Sequence, residues 1–267
     1  MARELSNGIN LKGPLQLSGA AGTSGQVLTS AGSGAVPTWS PAGGFTGGTL
    51  TSNLTLAAGT TSLSPLTFQS GTNLTSATAG AMEYDGKVIY STPAGRGVSP
   101  SMMFYRLESN YVGSNVNTAQ SVLGVGVTLA SNTVYAFEYK CAITKSTGGT
   151  THSLGVSFGG TATVNNILYV GTNGDRTLAL PTSTTTQSSI AITNTSNFSI
   201  TGTASTTTRS QWWFFSGTVS IATGGTFIPQ YTLSAAPGGA YSTVAGSYIA
   251  IWPIGADGAN TSVGAWA

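Results

Sequence analysis

The sequence predicts an all-β protein whose N-terminal third and C-terminal two thirds are built differently. Three observations carry that prediction. Gly (37), Ser (34) and Thr (42) together exceed two fifths of the 267 residues, and all three are poor helix formers. Charged residues make up only 6% of the chain, so the Lys, Glu and Arg that coat soluble helices are missing. The apolar residues, 40% of the total, recur at every second position in short runs bounded by Gly, Asn and Pro, the pattern of strands and turns. With 9 Phe, 10 Tyr, 5 Trp and a net charge of +2, the composition is also unlike that of a disordered chain.

Residues 1–14 hold Leu5, Ile9 and Leu11, spaced for an extended strand or short hook, beside Arg3, Glu4 and Lys12. No further charge occurs until Glu83, seventy residues later. Within this stretch 49–56 (TLTSNLTL) and 63–70 (LSPLTFQS) alternate apolar and polar residues, which predicts strands. Such strands lack a large apolar face, so alone they cannot offset an ordering cost of roughly 1–2 kcal/mol per residue. The Gly/Ser content of 19–34 fits a linker. The regular return of Leu, Val, Trp39, Phe45 and Phe68 favours strands that intertwine with copies of the same chain.

From about residue 101 the strand candidates lengthen and gain aromatics: 102–107, 122–129, 134–143, 151–158, 166–170, 188–193, 198–203, 211–222, 226–234 and 247–254. Turn signals separate them, among them Thr147-Gly148-Gly149, Asn173-Gly174-Asp175 and Pro237-Gly238-Gly239. Many short strands at even spacing predict a sandwich or barrel. The polar stretches 144–151 and 182–189 are the loops most available for contact.

Several function classes are disfavoured. Nine scattered basic residues make no patch able to neutralise several phosphates, so no nucleic-acid partner is expected. One His, one Cys and seven dispersed carboxylates offer no metal set, and no cofactor is expected. The first residues lack the apolar stretch of a signal peptide, and the longest apolar run, 248–254, is too short for membrane insertion. Cys141 reads as a buried structural thiol. His152 and Ser153 are neighbours without a nucleophile-elbow pattern. Glu83 and Asp85 have the i, i+2 spacing of a glycosidase pair on one strand face, but Asp85-Gly86 is a turn dipeptide, and turn chemistry is the preferred reading.

Residues 22–39 (GTSGQVLTSAGSGAVPTW) resemble a segment that recurs in bacteriophage tail fibres and related virion appendages, and 71–90 (GTNLTSATAGAMEYDGKVIY) resembles a second such segment. Residues 135–169, from YAFEYK to HSLGVSFGGTATVNNILY, look like the globular C-terminal module of such fibres. The resemblance implies a homotrimer with an N-terminal extended, threaded β stalk followed by a C-terminal jelly roll of the tumour-necrosis-factor type. It divides the chain into a virion-anchoring segment (1–20), an intertwined stalk (21–100) and a jelly-roll head (101–267). Leu5, Ile9 and Leu11 would dock to other phage virion proteins. Trp39, Phe45, Phe68, Tyr248, Trp252 and Trp266 are assigned to the trimer interface.

In Trp212-Trp213-Phe214-Phe215 alternate side chains face opposite ways, so one pair enters the core and the other meets a subunit or a glycan. Receptor contact is assigned to Trp213 and Phe215. The functional expectation is a non-enzymatic virion fibre, made in the host cytoplasm, that attaches to a host-surface glycan or protein. The alternative is a head fibre or capsid-decoration protein, which the short length favours. An enzyme acting on capsule or lipopolysaccharide is a third class, disfavoured by the scarcity of acid/base residues.

Overall fold

A computed structural model describes residues 22–41, 53–93, 95–99, 101–177 and 186–258. The described chain is all-β, with no helix. By internal contacts it divides into residues 1–66 and 67–267. Residues 67–100, placed in the stalk by the sequence reading, thus group with the larger unit.

In the first unit, β1 (Gln26–Thr29) and β2 (Thr38–Pro41) form an antiparallel hairpin with Leu28 opposite Trp39. Gly22 has φ +66°, and a Cβ there would stand 2.7 Å from the Trp39 ring, so glycine lets the indole close on the chain. The strand expected over 49–56 is not seen in its described part, residues 53–56, and the strand expected over 63–70 is absent. Alternation alone does not make a strand without a partner to take its backbone hydrogen bonds. Leu54, Leu56, Leu63 and Leu66 are exposed.

In the second unit, β3 (Met82–Tyr84), β4 (Ile89–Ser91) and β5 (Gly97–Ser99) form a small antiparallel sheet. Four shorter strands follow: β6 (Met103–Arg106), β7 (Tyr111–Val112), β8 (Gln120–Ser121) and β9 (Val127–Leu129). The main strands are β10 (Thr133–Lys145), β11 (Leu154–Gly159), β12 (Thr163–Thr177), β13 (Thr186–Ile192), the short β14 (Phe198–Ser199), β15 (Arg209–Thr223) and β16 (Gly225–Leu233). The short β17 (Ser242–Thr243) and the long β18 (Tyr248–Ala256) complete the described set.

These strands make two larger sheets. The eight-stranded sheet runs β13-β12-β15-β10, after which β18 and β17 share the far edge of β10 and pair onward with β6 and β7. The five-stranded sheet runs β14-β11-β16, with β8 and β9 sharing the far edge of β16. All pairings are antiparallel.

The sheets meet across an aromatic core. Along β10 the odd positions Tyr135, Phe137, Tyr139, Cys141 and Ile143 are buried, in strict period two. From the opposite sheet Phe158 packs edge-on to Phe137 (5.5 Å) and Tyr169 (5.2 Å) and stacks on Phe227 at 4.4 Å. The predicted turn at Asn173-Gly174 is a correction: both residues lie inside β12. Packing overrides the turn propensity there. The buried Asn173 amide donates to the Ile200 carbonyl at 2.5 Å, and a Cβ on Gly174 would stand 2.5 Å from the Trp212 ring.

The two ends of the sandwich are distinct. At one, Lys87 Nζ donates to the Ser131 carbonyl (3.1 Å), placing the β3–β4 loop beside the start of β10. At the other, the Lys145 ammonium is enclosed by the carbonyls of Thr147, Gly148, Thr206 and Thr207. Beside it Arg209 donates to the carbonyls of His152 (2.9 Å) and Gly202 (3.1 Å). Two buried cations thus hold the loops at that end by their backbone.

The β3–β4 loop rests on Asp85, whose carboxylate accepts from the Lys87 and Val88 amides (2.8 Å each) and from the Tyr90 hydroxyl (2.9 Å). Burial pulls this carboxyl upward, but the three hydrogen bonds outweigh it and hold the group below its ordinary range. Burial, reinforced by the Asp85 carboxylate, pushes Tyr90 up to about 12. For a carboxyl held low, the stabilisation is present above its unfolded pKa and is lost as pH falls through the lowered value. Protection of the Lys87 and Val88 amides from hydrogen exchange, taken relative to the intrinsic rate at each pH, is therefore expected to persist to mildly acidic pH and to fall below it. Asp85→Ala should accelerate that exchange at neutral pH, at a cost of about 1.5–3 kcal/mol to the loop.

Candidate assembly and binding surface

Strand alternation buries one face of the eight-stranded sheet and turns the other outward. On β15 the odd positions point inward: Trp213 is 1% and Phe215 0% exposed. Trp213 lies edge-on to Tyr139 at 6.1 Å, and Phe215 lies edge-on to Tyr169 at 5.3 Å. This corrects the receptor-contact assignment. Trp213 and Phe215 belong to the core, and the half-buried Trp212 and Phe214 are the outward pair.

The register shows what lies beside them. Trp212 sits between Gly174 and Ala142, and Phe214 between Thr172 and Lys140, with Tyr248 next across Lys140. One step along, Val170, Ser216, Glu138, Ala250 and Phe104 share a row. The next row holds Leu168, Thr218, Ala136 and Trp252. Phe104, Leu168 and Val170 are exposed, whereas Tyr248 and Trp252 are half-buried. The Phe104 and Tyr248 rings lie 5.3 Å apart. The Tyr248 hydroxyl approaches Glu138 at 3.4 Å.

At the Trp212 end this face holds a depression of about 450 Å³, walled by Trp212, Phe214 and Lys140 and bounded by residues 245–247. The Lys140 ammonium sits 4.8 Å from the Phe214 ring centre and 5.7 Å from that of Tyr248. Cation–π attraction of about 0.5–1 kcal/mol at such exposed sites holds a charge in place without neutralising it.

Of the residues assigned from sequence to a trimer interface, Tyr248 and Trp252 lie together on this face. Trp39 packs within the β1–β2 hairpin, and Phe68 is exposed and outside any strand. Leu5, Ile9, Leu11, Phe45 and Trp266 lie outside the described residues. Trp212, Phe214, Lys140, Phe104, Leu168 and Val170 were not singled out as surface residues by the sequence, although the parity of β15 could have separated the outward pair.

The groups weighed for catalysis have structural partners. His152 is buried, with Nδ1 2.7 Å from the Thr150 carbonyl and Nε2 2.7 Å from the Tyr241 hydroxyl. That geometry makes Nδ1 the donor and leaves Nε2 to accept from Tyr241. Cys141 is buried, and burial pushes its thiol far above the range in which a thiolate forms. Glu83 accepts from the Leu74 amide (2.6 Å) and pairs with Arg96 (2.9 Å); the Leu74 hydrogen bond foremost, then Arg96, hold its carboxyl low. Asp85 is engaged in its turn, so the two carboxylates hold different loops and do not face a common site.

No protein-family model, curated protein sequence or solved structure matches this chain.

Proposed function

We propose that this chain is a non-enzymatic, homotrimeric bacteriophage virion appendage of the tail-fibre type. Its N-terminal segment attaches it to the particle. The stretch to about residue 66 threads with two other copies, and the β3–β5 sheet, paired within its own chain, goes with the two-sheet unit. The two-sheet unit, read as a jelly roll, meets the host surface.

The observation that carries this reading is the outward face of the eight-stranded sheet. Phe104, Leu168, Val170, Tyr248 and Trp252 share it beyond the Trp212 end, with Glu138 in their rows and Arg106 opposite Tyr248 as the charges. A contiguous apolar face of this kind marks an interaction site. A second copy suits it because copies of a chain with 6% charged residues bring few charges that need pairing when buried. The exposed leucines 54, 56, 63 and 66 support the threaded stalk, since strands without a partner in their own chain find one in a neighbour. Attachment through such a trimer gains from multivalency, because several weak contacts act at high effective concentration.

Labelling intact particles with an antibody against residues 101–267, viewed by electron microscopy beside a host-adsorption assay, tests the reading. Label on the tail with adsorption blocked is the expected result. Label over the head with adsorption intact would assign the chain to capsid decoration.

A further inference from the structure

The depression at the Trp212 end of the outward face has a composition of its own. Most of the face is apolar and suits a second copy of the chain. Here two aromatic rings flank a single ammonium. Among the described residues that line it, Lys140 is the charged one. Its volume of about 450 Å³ lies within the range of small-ligand sites, which are mostly apolar with a few placed polar groups. The Phe214 and Tyr248 rings fix the ammonium, so little side-chain freedom is lost when an anion binds. Gly174 lets the Trp212 indole approach the sheet, leaving ring surface as a wall.

The rim adds to the argument. The amides of Ala245, Gly246 and Ser247 are occupied by Asn110 Oδ1, the Leu107 carbonyl and the Val244 carbonyl, and the Ser247 hydroxyl accepts from the Ala142 amide. The rim amides are thus taken, and the charge that the depression offers a ligand is the Lys140 ammonium. A ligand that fits needs an apolar ring face to lie on Trp212 and Phe214 and one negative group to meet Lys140. A sugar carrying a carboxylate has both: its C–H face packs on aromatic rings and its acid group supplies the charge.

We propose that the depression lined by Trp212, Phe214 and Lys140 binds an acidic sugar residue. The proposal rests on the attachment reading and names the chemistry recognised. Its position matches that role. Trp212 and Lys140 lie toward the Lys145 end of β10, whereas Lys87 and the β3–β4 loop lie at the Ser131 end, so the site is on the half of the unit remote from its N-terminal sheet.

The test uses the full chain with oligogalacturonates and oligosialic acid as probes and dextran oligosaccharides as the neutral control. Affinity is measured by calorimetry and copy number by native mass spectrometry on the same samples. The acidic probes are expected to bind and dextran not to. Lys140→Met and Trp212→Ala should each weaken binding at least tenfold with copy number and melting temperature kept. Absence of binding by either acidic probe, or binding unchanged in Lys140→Met, overturns the acidic-sugar site while leaving the trimeric appendage intact. A changed copy number in these variants also overturns it, because it would mean that the depression is buried between subunits.

Discussion

Trp213→Ala is expected to destabilise the two-sheet unit by about 3–5 kcal/mol, the usual cost of truncating a buried aromatic. Trp213 is 1% exposed and stands opposite Cys141 and Asn173, beside Tyr139. Against a typical total of about 5–15 kcal/mol, this is a large fraction of the stability. At the slope usual for a unit of this size, the melting temperature should fall by about 10 °C. Phe214→Ala, one residue on, points the other way. It should cost about 1 kcal/mol or less, because the ring is half-exposed and packs against the Lys140 ammonium. Thermal melts of the two variants side by side check the inward and outward assignment of β15. Equal losses would contradict it.

The second large effect is expected at the opposite kind of buried group. Lys145→Met keeps the length of the side chain but removes the donor that the carbonyls of Thr147, Gly148, Thr206 and Thr207 share. Losing hydrogen bonds to a charged group costs about 1.5–3 kcal/mol. The loss should appear first as faster hydrogen exchange in residues 146–151 and 202–208, since those loops have little strand pairing of their own. A pH dependence follows with a definite sign. Burial, and then the neighbouring Arg209, hold the Lys145 ammonium below its ordinary pKa. Between the lowered value and the unfolded one, the unfolded chain binds more protons than the folded chain, so stability gains with rising pH. Methionine has no such gain. The stability difference between wild type and Lys145→Met should therefore widen as pH rises toward the ordinary lysine range. A constant difference would show that the ammonium titrates as in water.

Much of the larger unit is legible in the sequence. YAFEYKCAI announces β10 because its aromatics fall on odd positions, and those positions are the ones buried. The ten strand candidates each have a counterpart. The short β7, β8 and β17 are not legible, since two residues carry no period and form only because an edge of β10 or β16 is available to them. Asn173-Gly174 misleads for a related reason: its turn propensity is local, whereas the fourteen residue pairs that join β12 to β15 are not.

The candidate surface was half legible. Tyr248 and Trp252 share a parity and an outward face. For the WWFF run the pairs were assigned the wrong way round, although Val219 and Ile221 continue the parity of Trp213 and Phe215 beside the polar Thr218 and Ser220. The buried Arg209 and Gln211 on that same parity obscure the signal, since polar residues there read as a solvent face. The apolar period of 49–70 is real, but a strand also needs a partner, which a single chain does not encode.

The mass of the intact assembly tests the central claim most directly. Native mass spectrometry of the full chain, 26.8 kDa per copy, is expected to give three copies. Trp252→Glu, which puts a charge in the middle of the outward apolar face, should shift that population toward single copies with the fold retained. A wild-type chain that runs as a single copy at micromolar concentration would contradict the account, and the apolar face of the eight-stranded sheet would then belong to a different partner.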